Sequence, residues 1–227
     1  MRISNKKRFL LLALAIPASL STPAFAKSDT QYWQTLQASV KLDDKFGVSD
    51  EAVFRSGDAK GFYEFENSLL LGYKANKKVT VQAGWVANPQ YSHGSYTTME
   101  NRVRAQVTYD GLLMIGKAKV TGRMRIESRW RDGFAGTAWR LRPYVKLSVP
   151  LAKKLALNVT HEEFIDLNTN GFQKVGGLER MRNAAMLSTP IAKHFTLDFG
   201  YLEQHGFVPG GVDSDDHVAS IQLSAAF

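Results

Sequence analysis

From residue 121 to residue 149 the chain alternates polar and apolar positions with a period of two. Arg123, Arg125, Glu127 and Arg129 interleave with Met124, Ile126, Ser128 and Trp130. After a turn, Arg140, Arg142, Tyr144 and Lys146 interleave with Trp139, Leu141, Pro143, Val145 and Leu147. Successive side chains of a strand point to opposite faces, so this period predicts two extended strands, each with a charged and an apolar face. The apolar face must meet either a protein core or lipid.

The same pattern, weaker, runs through the rest of the chain in segments of about ten residues separated by turn residues, as in a membrane β-barrel. Strands are predicted at 32–42, 46–55, 64–74, 79–87, 99–109, 119–130, 139–149, 155–165, 178–189, 195–204 and 217–227. Short turns (43–45, 75–78, 151–154, 192–194) alternate with longer connections rich in Gly, Asn, Asp or Pro (56–63, 88–98, 131–137, 166–177, 206–216). Short turns are expected on the periplasmic side and long loops outside. The connection 110–118 breaks the rule. It is long and apolar (Leu112, Leu113, Met114, Ile115), and is read as an extension of both neighbouring strands. The fold class is therefore all-β, an antiparallel transmembrane barrel of about ten to twelve strands. Eleven segments are counted where bacterial barrels have an even number.

The chain ends support this class. A basic start (Arg2, Lys6, Lys7, Arg8), an apolar run and Ala24-Phe25-Ala26 read as a signal peptide over 1–26, leaving 27–227 as a single outer-membrane barrel. The apolar run is too short to span as a helix. Removing those four basic residues lowers the formal charge from +8 to +4, which takes away the compositional support for nucleic-acid binding. There is no cysteine, so the fold closes without disulfides. At the far end Ala219, Ile221, Leu223, Ala225 and Phe227 share one face, an amphipathic last strand ending in Phe that resembles the assembly signal of outer-membrane barrels. The expected partners are outer-membrane lipids and the barrel-assembly machinery. Trp33, Trp85, Trp130 and Trp139 fall at strand ends, where an aromatic girdle would need them.

Taking the polar phase of each strand as inward fills the lumen with charge, because charges on the lipid side are costly. The expected ionic network comprises Arg55, Glu100, Arg102, Arg104, Arg123, Arg125, Glu127 and Arg129, with Arg140, Arg142, Glu162, Arg182 and Asp198. Glu51, Glu64, Glu66, Lys146 and Arg180 share the phase. Neighbouring strands place Glu100 beside Arg123 or Arg125, and Glu127 beside Arg140 or Arg142. Two roles compete. Arginine–carboxylate pairs can fill a narrow barrel, or an arginine-lined passage can select small anionic solutes such as acidic sugars or phosphates.

The order of these features resembles an uncharacterised family of Gram-negative outer-membrane barrels catalogued as a domain of unknown function. The matching pieces run from Trp33 and Phe54-Arg55 through Leu71-Gly-Tyr73, Ala83-Gly-Trp85 and Glu100-Asn-Arg102 with Gln106. They continue through 123–129, Arg140-Leu-Arg142, Glu162-Glu-Phe164, Arg182, Asp198-Phe-Gly-Tyr201 and His217. The resemblance covers nearly the whole of 27–227. It implies fold and location and no activity.

Two other classes compete. A lipid- or lipopolysaccharide-modifying barrel hydrolase needs a Ser nucleophile, a His base and an orienting group. His93 lies beside Ser92 and Ser95, and His205 and His217 flank a loop with Asp213 and Ser214. Spacing alone is a weak signal, because turns favour Ser and Asp for their own reasons. No catalytic residue is assigned. Asp213, Asp215, Asp216 and His217 are read as a solvated loop tip rather than a metal site, and no cofactor is expected. A soluble periplasmic β-protein is disfavoured by the number and regularity of the amphipathic strands.

Overall fold

A computed structural model describes residues 26–227. The expected signal peptide, apart from Ala26, lies outside them. Eleven strands follow in order: β1 (Lys27–Lys41), β2 (Phe46–Gly57), β3 (Gly61–Lys74), β4 (Val79–Ser92), β5 (Ser95–Ile115) and β6 (Ala118–Arg131). Then come β7 (Ala138–Ala152), β8 (Leu155–Asp166), β9 (Gly177–Pro190), β10 (Phe195–Gly206) and β11 (Ser214–Ala226). Each pairs with its neighbours in sequence, and β1 pairs with β11 to close a barrel.

The closing pair corrects two expectations. An odd number of up-and-down strands puts the first and last in the same direction, so β1 and β11 run parallel while every other pair is antiparallel. The even count is not needed, because the seam supplies a continuous ladder from Lys27↔Ser214 to Ser39↔Ala226. At its end Phe227 donates its N–H to the Ser39 carbonyl and accepts from the Lys41 N–H, both at 2.9 Å.

Alternation fixes which side chain faces which way. Leu36, Val40, Leu69, Leu71, Val103, Val107, Phe199 and Ile221 stand on the outer surface, each more than a third exposed. Glu100, Arg104 and Glu127 are at most 1% exposed inside. This inverts a soluble protein, in which contiguous apolar surface of this extent is hidden. Two inward glycines allow the sheet to bend. A Cβ on Gly84 would lie 2.0 Å from the Leu69 carbonyl oxygen, and one on Gly200 2.1 Å from that of Ala185. Such sites mark tight bends at barrel corners.

The two ends differ. Short turns (42–45, 75–78, 116–117, 153–154, 191–194) gather at one end. In the first, Asp43 Oδ1 accepts the N–H groups of Lys45 and Phe46 at 2.7 Å each, which holds its carboxyl below the usual carboxylate range. At the other end lie 58–60, 93–94, 132–137, 167–176 and 207–213. The connection expected as a long loop at 88–98 is instead paired strand up to a two-residue turn at His93 and Gly94, both at positive φ. The stretch 110–118 is a hairpin, as the sequence suggested. β5 continues past Tyr109, the partner of Val79 at the start of β4, and pairs only with β6 from Leu113 to Ile115.

Candidate functional site

Halfway along the lumen the inward residues form a belt with two kinds of contact. On one side it is ionic. Arg55 on β2 meets Glu64 on β3 at 2.7 Å. Glu66, two residues further along the same face, takes Arg104 at 2.7 Å and Arg102 at 2.9 Å from β5. Arg104 also meets Glu127 on β6 at 2.8 Å, and the same Glu127 oxygen accepts Arg142 from β7 at 3.1 Å. Arg142 reaches Glu162 on β8 at 3.0 Å, and Arg123 bonds the other oxygen of Glu162. With Arg55 also 3.8 Å from Glu66, one chain of ion pairs thus links β2 to β8. Such pairs are the strongest hydrogen bonds a protein makes, and their loss one partner at a time is costly inside.

On the other side arenes take over. Phe164 on β8 carries the guanidinium of Arg142 at 4.2 Å and that of Arg182 on β9 at 4.5 Å. Arg182 lies 4.6 Å from the Trp33 ring on β1, and Arg55 lies 4.5 Å from the same ring. Arg142–Phe164–Arg182–Trp33–Arg55 therefore closes the circuit that the ion pairs begin. Trp33 also donates its indole N–H to Gln31 and Tyr63, each at 3.0 Å.

Above this belt, at the long-loop end, opens a cavity of about 520 Å³. Its lining includes Arg55, Arg102, Arg142, Arg180, Arg182, Trp33, Tyr63 and Phe164. The loop 167–176 folds over one side of it. Gln173, 3% exposed, accepts from Arg129 at 2.9 Å, and Phe172 covers Arg131 at 4.7 Å. A second ion group, Arg140 with Asp166 (2.6 Å) and Glu179 (3.3 Å), braces the rim, where Arg180 also holds Glu179 at 2.9 Å.

Arg182 is set apart among these arginines. Its Nε donates to Gln204 at 2.8 Å, and among the described residues no carboxylate lies within 4.0 Å of it. Cation–π stacking engages the flat face of a guanidinium and leaves its N–H edge for a ligand. Arg125 also lacks a carboxylate among the described residues, but it sits beside Gln106, to which it donates at 2.7 Å, and outside the cavity lining.

Most of the expected network is present, with three corrections. Trp33 is not on the outer surface; it is 5% exposed and faces the lumen, because Leu36 and Val40 fix the outward phase of β1 and Trp33 lies on the opposite one. Trp85, Trp130 and Trp139 do stand outside, the first two stacked at 6.3 Å. Glu100 binds Arg102, Arg129 and Arg131 at 2.5–2.9 Å instead of Arg123 or Arg125. The register places it opposite Arg131, while Arg123 and Arg125 face Thr108 and Gln106. Asp198 points inward but its partner is Asn158 at 3.4 Å, outside the arginine chain. The Glu127–Arg142 contact is as expected.

Sequence reasoning passed over Tyr63, Arg131, Asp166, Gln173 and Glu179. Register shifts at Arg55/Ser56 and Phe164/Ile165 put neighbouring residues, Tyr63 with Glu64 and Glu179 with Arg180, on one cavity wall. A strict period of two cannot register that. Gln173 sits in a loop with no periodicity at all; Arg131 and Asp166 continue the inward phase one step beyond the predicted strand ends.

The histidines fall elsewhere. His93 lies 3.3 Å from Ser92 Oγ, the one Ser–His hydrogen bond among the described residues. His205 meets Asp215 at 2.5 Å and Asp213 at 3.5 Å, while Ser214 lines the cavity. His217 bonds the Tyr201 hydroxyl at 2.5 Å, and His161 bonds Asn183 at 2.8 Å. Ser, His and acid do not converge at either candidate position.

Comparison with known proteins returns a family described as "Protein of unknown function (DUF2490)", matched over residues 30–215. A protein of Methylorubrum extorquens, named only as an uncharacterized protein, is 26% identical over 189 residues, covering 78% of this chain and 81% of its own length. No solved structure matches.

Proposed function

We propose that this chain, which belongs to the DUF2490 family of proteins of unknown function, is an outer-membrane barrel that binds a small anionic solute in a vestibule above a closed lumen. The supporting observation is Arg182: a guanidinium at the cavity floor, stacked on Trp33 and Phe164, with no carboxylate among the described residues to occupy its N–H edge. A carboxylate or phosphate supplies the missing partner, and Arg55 and Arg180 stand at the same cavity to share its charge.

The membrane part of the reading rests on the apolar outer surface and its length. On β7 the outward positions run from Trp139 to Leu151. At about 3.3 Å per residue and a strand tilt of about 40°, they cover about 30 Å, enough for the apolar band of such barrels. Long loops then face outward, and the last strand with Phe227 is the signal for the assembly machinery. The ionic chain from Arg55 to Glu162 acts as the closure, so the barrel holds its solute without passing ions.

The test pairs binding with conductance. Glucuronate and inorganic phosphate are titrated against the folded barrel in detergent, and the barrel is placed in a planar bilayer. Saturable binding that Arg182→Ala abolishes, with no steady current, is expected. A steady current through the native barrel, or no binding of either anion, sinks the reading.

A further inference from the structure

The end of the barrel away from the vestibule has a chemistry of its own. Fourteen lysines lie among the described residues, and ten of them stand at the short-turn end. Each of the five short turns carries at least one; Lys45, Lys77, Lys117, Lys153 and Lys193 are one from each, all exposed. Among the described residues three acidic side chains share that rim, and all are engaged locally. Asp43 caps its own turn, Asp44 holds Lys41 at 2.7 Å, and Asp110 holds Lys119 at 3.0 Å. Among the described residues the other eight lysines have no carboxylate within 4.0 Å.

Directly inside this collar is an aromatic ring on the outer surface. Phe46 and Tyr73 pack at 5.2 Å, Phe195 and Phe227 at 6.2 Å, and the Lys78 ammonium lies 5.9 Å from the Tyr109 ring. The β5–β6 hairpin runs on past the collar, with Leu112, Leu113, Met114 and Ile115 each 54–59% exposed. Deeper along the same wall stand Leu69, Leu71 and Val107, each more than a third exposed, so ammonium groups, aromatic rings and aliphatic side chains follow one another from the rim inward. That is the order of a leaflet met from the water: headgroup, interface, acyl chain.

We propose that the short-turn rim is a docking surface for the phosphate headgroups of anionic phospholipid in the leaflet on that side. The inference rests on the membrane reading above. Charge complementarity chooses the partner, and circumference chooses it over a protein: lysines occur in every short turn around the barrel, whereas a docked protein touches one side. Each lysine near an anionic surface contributes about a fivefold gain in affinity, lost within a Debye length of about 8 Å as salt rises.

The full chain is folded into vesicles of phosphatidylcholine mixed with an equal part of phosphatidylglycerol, extracted gently, and its co-purifying lipid quantified by mass spectrometry. Phosphatidylglycerol is expected to be enriched several-fold over the bulk ratio, less so at high salt. Replacing Lys77, Lys78, Lys153 and Lys154 with Gln, all in exposed turns, should remove the enrichment; Arg at the same positions should keep it. Lys60→Gln with Lys174→Gln, at the opposite end, should leave it unchanged. An inserted barrel whose lipid matches the bulk ratio overturns the headgroup proposal and leaves the membrane reading standing. A chain that never gives a heat-modifiable, membrane-inserted band overturns both.

Discussion

Arg104 and Arg182 occupy the same belt of the lumen and are held in opposite ways. Arg104, 1% exposed, is fixed through its N–H edge between Glu66 and Glu127. Arg182 is held with its guanidinium carbon 4.6 Å from the Trp33 ring and 4.5 Å from the Phe164 ring, and with Nε donating to Gln204. A carboxylate partner consumes the donors of a guanidinium; an aromatic partner leaves them in place. On the function proposed above, the first arrangement seals and the second receives, so one residue type would do two jobs according to which of its surfaces the barrel engages.

The comparison is broken most forcefully from its ionic side. Glu127→Ala leaves Arg104 and Arg142 facing a lost partner in a buried site, and is expected to cost about 3–5 kcal/mol in urea unfolding of the folded barrel. A loss below about 1 kcal/mol means the chain is not what holds the belt. Arg182→Ala removes only stacking and one neutral hydrogen bond, so stability should fall by about 1 kcal/mol while anion affinity drops at least about tenfold. Equal effects of the two substitutions on stability would falsify the division of labour. Arg125 sharpens the picture from the other direction. It is buried, lacks a carboxylate among the described residues and does not line the vestibule, so Arg125→Met is expected to leave anion binding intact and to keep stability within about 1 kcal/mol of the native barrel. A collapse of binding in that variant would place the anion below the belt.

How much of this is written in the alternation can be traced residue by residue. All eleven strands are legible, because one face of each is apolar and the other is not. The inward identity of Arg102, Arg104, Arg125, Glu127, Arg142 and Glu162 follows from phase alone. Partners depend on register, which strand ends set. Glu100 goes to Arg129 and Arg131 because β6 continues to Arg131 before turning. Trp33 is legible from phase but not from its place at a strand end. Tyr32 and Trp33 put an aromatic on each phase of β1, and Leu36 and Val40 assign the outward phase to Tyr32, leaving Trp33 inside between two guanidiniums. Bulges conceal Tyr63 and Glu179, since a register shift places adjacent residues on the same wall.

The parallel seam carries a consequence in time. Every other ladder joins strands adjacent in sequence and can form as soon as its turn closes. β1 and β11 must wait: Gln222 reaches Gln37 across 185 positions, and Ser224 reaches the same residue across 187. Contacts of such sequence separation cost the most loop-closure entropy and form late. The barrel is therefore expected to zip along ten antiparallel ladders and latch last between 27–39 and 214–226. Pulsed hydrogen exchange during refolding reads this order, with the amides that donate across the β1–β11 seam, among them Lys41 and Phe227, protected after those of the β5–β6 hairpin.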